Sequence, residues 1–268
     1  SARLQEKYDA RVNEVDSLLC VGLDTVAAKA RDRFPSSANP QLDFNRWIID
    51  KTGEFAAAFK PNVAFYEAEG QQGLDQLKKT VRYIQENFPQ AVTIADAKRG
   101  DIDSSNGGYV DSIFDQLGFD AVTLHPYLGR QALTPFLNRV DRACIILCRT
   151  SNPGAPEFQD LKVDGSPLWQ IVAEKVSKDW NKNNNCMLVV GATYPEEMKE
   201  IRSLVGDMTF LVPGIGAQGG DLQQVLKAGL NSEGLGLIIN SARGIIFSES
   251  PKKEAQKLCE EIRKYKAI

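Results

Sequence analysis

The sequence predicts an α/β fold, a (β/α)8 TIM barrel built as a single domain over residues 1–268, with an extra helix at the N-terminus. Three observations carry this expectation. Eight short runs are almost continuously apolar, as strands buried on both faces of a parallel sheet must be. Segments with helical periodicity separate them in strict alternation. The length of 268 residues suits a closed barrel, whereas an open doubly wound sheet rarely needs eight such units.

Taken in order, the predicted strands are Leu18–Asp24, Phe55–Asn62, Val92–Lys98, Ala121–His125, Ala143–Arg149, Met187–Ala192, Phe210–Gly214 and Leu235–Asn240. The helix before the second strand is marked by Phe44, Trp47, Ile48 and Lys51. Leu74, Leu77, Val81 and Ile84 mark the next, then Val110, Ile113, Phe114 and Leu117. Leu133, Phe136, Leu137 and Val140 follow, then Trp169, Val172, Ala173 and Val176. Met198, Ile201 and Val205, then Leu222, Val225 and Leu226, and finally Ala255, Leu258, Ile262 and Tyr265 complete the set. Each group lines one helical face. Leu4, Tyr8, Val12 and Val15 form the extra N-terminal helix. No Pro/Gly/Ser-rich linker divides the chain.

Composition excludes several function classes. A net charge of −3 gives no global positive field for nucleic acid or an anionic membrane. No apolar run approaches the roughly 20 residues of a membrane span, and the polar start of the chain does not read as a signal peptide. The five cysteines lack zinc spacing and fall mostly in apolar runs, which suits buried thiols in a reducing cytoplasm. No cofactor or metal motif is visible. His125, the only histidine, has no Cys or His partner nearby and reads as structural.

In a barrel of this kind, chemistry sits at the C-terminal ends of the strands. The third run ends Asp96-Ala97-Lys98-Arg99-Gly100-Asp101-Ile102, so charge begins inside an apolar strand, where it is costly unless paired. Asp96 and Lys98 are two apart and should share a face. Lys60 ends the second run and Asp24 the first, as lone charges in equivalent places. The seventh run passes into Gly214-x-Gly216-x-x-Gly219 and the eighth into Asn240-Ser241-Ala242-Arg243. Loops in these two positions are the usual phosphate cradle of the fold, with Arg243 able to add a bidentate contact. The fifth run ends Arg149-Thr150-Ser151-Asn152-Pro153-Gly154, where small polar groups either read a polar ring or form a turn before proline.

Together these residues resemble orotidine 5′-monophosphate decarboxylases, in the spelling of the longer-chain bacterial branch. The likeness rests on Asp96-x-Lys98-x-x-Asp101-Ile102, Gly22-Leu23-Asp24, Phe59-Lys60-Pro61-Asn62, Ser151 to Gly154, Pro213 to Asp221 and Asn240 to Arg243. It implies a cofactor-independent, metal-free lyase that converts orotidine 5′-monophosphate to uridine 5′-monophosphate and CO2. It further implies that Lys98 protonates C6, that Asp96 sits beside the substrate carboxylate, and that Lys60 binds ribose hydroxyls and pairs with the aspartates. Asp24 would hold a ribose hydroxyl, Ser151 the pyrimidine amide edge, and Gln218 and Arg243 the phosphate. Ile102 and Ser105 join the substrate-binding set, and Asp101 would cross into a partner subunit's site, making the unit a homodimer. Three departures fall just after this signature. Asp103 stands where the family usually has Gly, Ser105 where it has Thr, and Gly107-Gly108 loosens the start of the following helix. Two rivals share much of this pattern: a Mg-dependent sugar-phosphate decarboxylase or aldolase of the same superfamily, and a non-catalytic barrel that binds a phosphorylated ligand.

Overall fold

The structure is a computed structural model that describes residues 3–216 and 221–267. Its strands are β1 (Leu19–Leu23), β2 (Ala58–Pro61), β3 (Val92–Arg99), β4 (Ala121–Leu124), β5 (Ala143–Arg149), β6 (Lys162–Val163), β7 (Ser166–Pro167), β8 (Cys186–Val190), β9 (Phe210–Val212) and β10 (Leu237–Ser241). Eight of these close a parallel barrel, in which β10 returns to pair with β1 through Leu19↔Ile239 and Cys20↔Asn240. The barrel strands are those expected from the apolar runs, and residues such as Leu19, Phe59, Ile94, Ile146 and Leu188 are fully buried. Burial on both faces erases the polar–apolar alternation that a half-exposed strand would show.

The small antiparallel pair β6–β7 lies outside the barrel and was not anticipated. Its turn is Asp164-Gly165, with φ of 51° and 84°. Positive φ at both central residues is the type I′ geometry that matches strand twist, so an Asp-Gly step between short strands was the available signal.

Helices surround the barrel. Several start on proline at the first or second helical position, as in Pro40–Thr52, Pro195–Val205 and Pro251–Lys266, where the missing N–H is unneeded. Helix Leu222–Gly229 is capped by Asp221, whose Oδ1 accepts from the Gln224 amide at 3.1 Å. The expected Leu133–Val140 helix shrinks to Thr134–Leu137, and Val140 is exposed. Leu74 also faces outward on helix Gly70–Asn87. Gly107 and Gly108 lie inside helix Asp103–Val110 rather than loosening its start, and that helix widens into a π-helical stretch at Asp111–Gln116.

The extra N-terminal helix, Arg3–Val15, covers the end of the barrel opposite the loops that hold the charges. Leu4, Tyr8 and Val12 are buried there, each contributing roughly 1.5–3 kcal/mol of apolar transfer. The Tyr8 hydroxyl donates to the Leu237 carbonyl at 2.6 Å, and Arg11 donates to the carbonyls of Ala56 at 3.1 Å and Gly53 at 2.9 Å. All five cysteines are free and buried, as the apolar runs implied. No helix among the described residues is long and apolar enough to cross a membrane.

Candidate active site

The site begins with a fault in the sheet. β3 and β4 pair in register at Ala95↔Val122 and again at Arg99↔Leu124, so four steps on β3 face two on β4. The extra residues include Ala97 and Lys98, and Lys98 adopts a φ of 49° that non-glycine residues rarely take. Two amides thereby lose their ladder partners. Thr123, buried on β4, replaces them: its Oγ1 accepts from the amides of Ala97 at 3.1 Å and Lys98 at 2.9 Å, and donates to Asp96 Oδ1 at 3.0 Å.

Asp96 is therefore fixed at its back by Thr123 and at its front by two ammonium groups. Lys60 Nζ donates to Asp96 Oδ2 at 2.8 Å, and Lys98 Nζ to Asp96 Oδ1 at 2.6 Å. Burial favours the neutral carboxyl of Asp96, but Lys60 and Lys98 overcome it and hold the acid well below the usual carboxylate range. Lys60 is only 5% exposed. Burial by itself would lower its affinity for a proton, yet Asp96 and then Asp24 outweigh that and keep it cationic. Asp24 responds in the opposite sense, because burial raises its carboxyl more than Lys60 lowers it. Its Oδ1 is buried and without a hydrogen-bond partner among the described residues. Within one chain the alternating array thus reads Asp24, Lys60, Asp96, Lys98.

Two cavities open at this mouth. One, of about 470 Å³, is lined by Lys60, Asp96, Lys98 and Thr123 together with Ser151, Asn152 and the apolar Leu147, Val189 and Leu211. The other, of about 520 Å³, is lined by Asp24, Gly214, Gly216, Asn240 and Arg243. Pro213 lines the first and Gly214 the second, so they adjoin at the end of β9. Gly214 has a φ of 93°, a turn that a side chain would strain. One compartment is thus apolar with a charged floor, suited to a planar ring. Its neighbour sets glycine-rich backbone and the Arg243 guanidinium beside Asp24, Lys257, Glu254 and Glu261.

Of the residues singled out from sequence, Lys60, Asp96, Lys98 and Ser151 meet in the first cavity, and Asp24 and Arg243 in the second. Gln218 lies outside the described residues. Asp101 is half-exposed and accepts from the Ile102 amide through Oδ1 at 2.7 Å. It lines neither cavity, nor do the exposed Ile102 and Ser105. The segment that carries them is pinned by buried Asn106, whose amide bonds the Asp101 backbone on both sides. Asp103 has a φ of 39°, in the left-handed region where glycine costs nothing, and its Oδ1 accepts from Gln131 at 2.6 Å. His125 is structural as expected. Nδ1 accepts from the Tyr127 amide, which leaves Nε2 to donate to the Gly100 carbonyl at 2.8 Å.

Sequence reasoning missed Thr123 and Gln159. The signal for Thr123 was a hydroxyl in the middle of an apolar strand. Gln159 lines the first cavity, donating to Thr150 Oγ1 at 2.7 Å and accepting from the Thr150 amide at 2.9 Å. Nothing in its helical surroundings marked it. Among the described residues no three His, Cys, Asp or Glu side chains group as a metal site.

Comparisons with known proteins identify the family and match the fold. The profile of the family described as Orotidine 5′-phosphate decarboxylase / HUMPS family matches residues 17–258. An orotidine 5′-phosphate decarboxylase of Cellvibrio japonicus is 48% identical over 243 residues, covering 90% of this chain and 88% of the relative. One from Janthinobacterium is 43% identical over 251 residues, covering 94% and 92%. Among solved structures, the Leishmania donovani OMP decarboxylase superposes with a TM-score of 0.89 at 36% identity, covering 99% of both chains. With a parallel barrel, an aspartate held between two lysines and a matching profile over most of its length, the chain belongs to the orotidine 5′-phosphate decarboxylase family.

Proposed function

We propose that Lys98 is the group that stabilises and protonates the reacting carbon, with Asp96 and Lys60 holding it ready. The chain catalyses the loss of CO2 from orotidine 5′-monophosphate, giving uridine 5′-monophosphate in pyrimidine biosynthesis, as its family does. In this step the C6–carboxylate bond breaks, its electron pair stays on C6, and CO2 departs. A fixed ammonium beside C6 counters the growing negative charge and then transfers its proton to that carbon. The Lys98 side chain is 52% exposed, so solvent can return the proton. The observation that carries the reading is Asp96 ion-paired with Lys60 at 2.8 Å and with Lys98 at 2.6 Å.

Repulsion between Asp96 and the substrate carboxylate is the smaller contribution. Two like charges about 4 Å apart at an effective dielectric near 20 repel by about 4 kcal/mol, worth roughly a thousandfold in rate. The larger share falls to charge stabilisation at C6. Ser151 is read as holding the pyrimidine amide edge and Asp24 a ribose hydroxyl. Arg243, with Gln218, holds the phosphate, whose binding energy serves the chemistry at a distance.

The same reading takes residues 1–268 as one catalytic domain, acting without cofactor in the cytoplasm. It also makes the working unit a homodimer. Asp101, Ile102 and Ser105 line neither of their own chain's cavities, and a partner's mouth would give them a role.

Replacing Lys98 with Ala should abolish the fall in ultraviolet absorbance of orotidine 5′-monophosphate while uridine 5′-monophosphate still binds by calorimetry. Near-normal turnover would overturn the proton-donor role, and activity that vanished in EDTA would favour the Mg-dependent rival.

A further inference from the structure

Asp24 is aimed without any hydrogen bond to its own Oδ1, and what aims it lies behind the strand. The carbonyls of three successive residues there are each held. The Tyr66 hydroxyl donates to Leu23 O at 3.0 Å, the Val26 amide to Asp24 O at 3.1 Å, and Gln41 Nε2 to Thr25 O at 2.9 Å. Two side chains of this region, Thr25 and Tyr66, meet on Asn45. Thr25 Oγ1 donates to Asn45 Oδ1 at 2.6 Å. Asn45 Nδ2 gives its two protons to the Tyr66 hydroxyl at 2.9 Å and Thr80 Oγ1 at 3.0 Å.

Thr25, Gln41, Asn45, Tyr66 and Thr80 are all fully buried, so solvent cannot substitute for a lost partner. Each hydroxyl proton has one assigned acceptor, Thr80 passing its own to Gln76 O at 2.8 Å, so the network has one direction. Apolar side chains would fill this space at lower desolvation cost. A polar network in which the Asn45 amide and all three hydroxyls are paired instead fixes geometry, and here the geometry it fixes is the peptide on either side of Asp24.

We infer that Asn45, acting through Thr25 and Tyr66, is a positioning residue for Asp24: it sets the carboxylate at the distance and angle of a ribose hydroxyl and never touches the ligand. The inference rests on the reading of Asp24 as the ribose ligand, so the test separates the two.

Binding of uridine 5′-monophosphate and of its 2′-deoxy and 3′-deoxy analogues is measured by calorimetry on the full chain. The native protein should prefer the ribonucleotide over one deoxy analogue by about tenfold or more, the scale of a hydrogen bond to a charged group. Asp24→Asn should erase that preference. Thr25→Val should shrink it to below about threefold while moving affinity for the deoxy analogue less than about twofold, and Thr25→Ser should restore it. Tyr66→Phe, which removes one hydroxyl and keeps the ring, should repeat the Thr25→Val result and carries the test if that variant does not fold. Full discrimination in both network variants, or an equal loss for ribo and deoxy ligands, would overturn the inference. Discrimination that survived Asp24→Asn would instead overturn the assignment of Asp24.

Discussion

At the scale of single residues, the mouth is governed by how Asp96 is neutralised. Its proton affinity in the folded state lies below the unfolded value of about 4. Such a group adds stability that is present above the unfolded value and is lost as pH falls toward the folded one. Asp24 works in the opposite sense, since its carboxyl is raised by burial and gains by protonation. Asp96→Asn removes the hydrogen-bonded anion of buried Lys60 and leaves only the more distant influence of Asp24, a loss of about 3 kcal/mol at neutral pH. The urea midpoints of native and variant protein should therefore differ most near pH 7 and converge below about pH 4. A gap of constant size across that range would show that Asp96 is not held by charge. Asp103 is a second single-residue matter: its backbone is left-handed, a conformation glycine adopts without strain, and the aspartate offsets part of the cost through Gln131.

At the scale of elements, β3 and β4 make the site by failing to pair evenly. Thr123 closes the gap, so Thr123→Val should leave two amides without acceptors and remove one of the two donors to Asp96 Oδ1. Misplacing Lys98 by such a change should lower kcat roughly 10–100-fold, with Thr123→Ser recovering most of it in steady-state assays. The strands themselves were legible in the sequence, because burial on two faces leaves continuous apolar runs with charges only at their ends. The uneven pairing was not. A two-residue spacing suggested plain alternation for Asp96 and Lys98, whereas a positive φ at Lys98 is what brings its ammonium to 2.6 Å from Asp96. Gln159 was hidden for a different reason: its role depends on how residues 150–167 fold back, which no local periodicity encodes.

For the whole molecule, the charged signature is split. Asp96 and Lys98 enter their own cavity while Asp101, three residues on, does not. In a symmetric dimer each partner would supply what the other lacks. Mixing Lys98→Ala and Asp101→Asn chains, each inactive alone, should then recover about a quarter of native activity once subunits exchange, because only heterodimers hold one intact site. No recovery, with exchange verified by mass spectrometry, would confine the chemistry to one chain. The opposite end of the barrel has a separate assignment. There the N-terminal helix lies over Leu237, Ala56 and Gly53 and donates to the carbonyl of each. Nothing in that seal touches substrate, so damage to it should surface as insolubility and shortened lifetime in the cell, with surviving molecules still turning over at full speed.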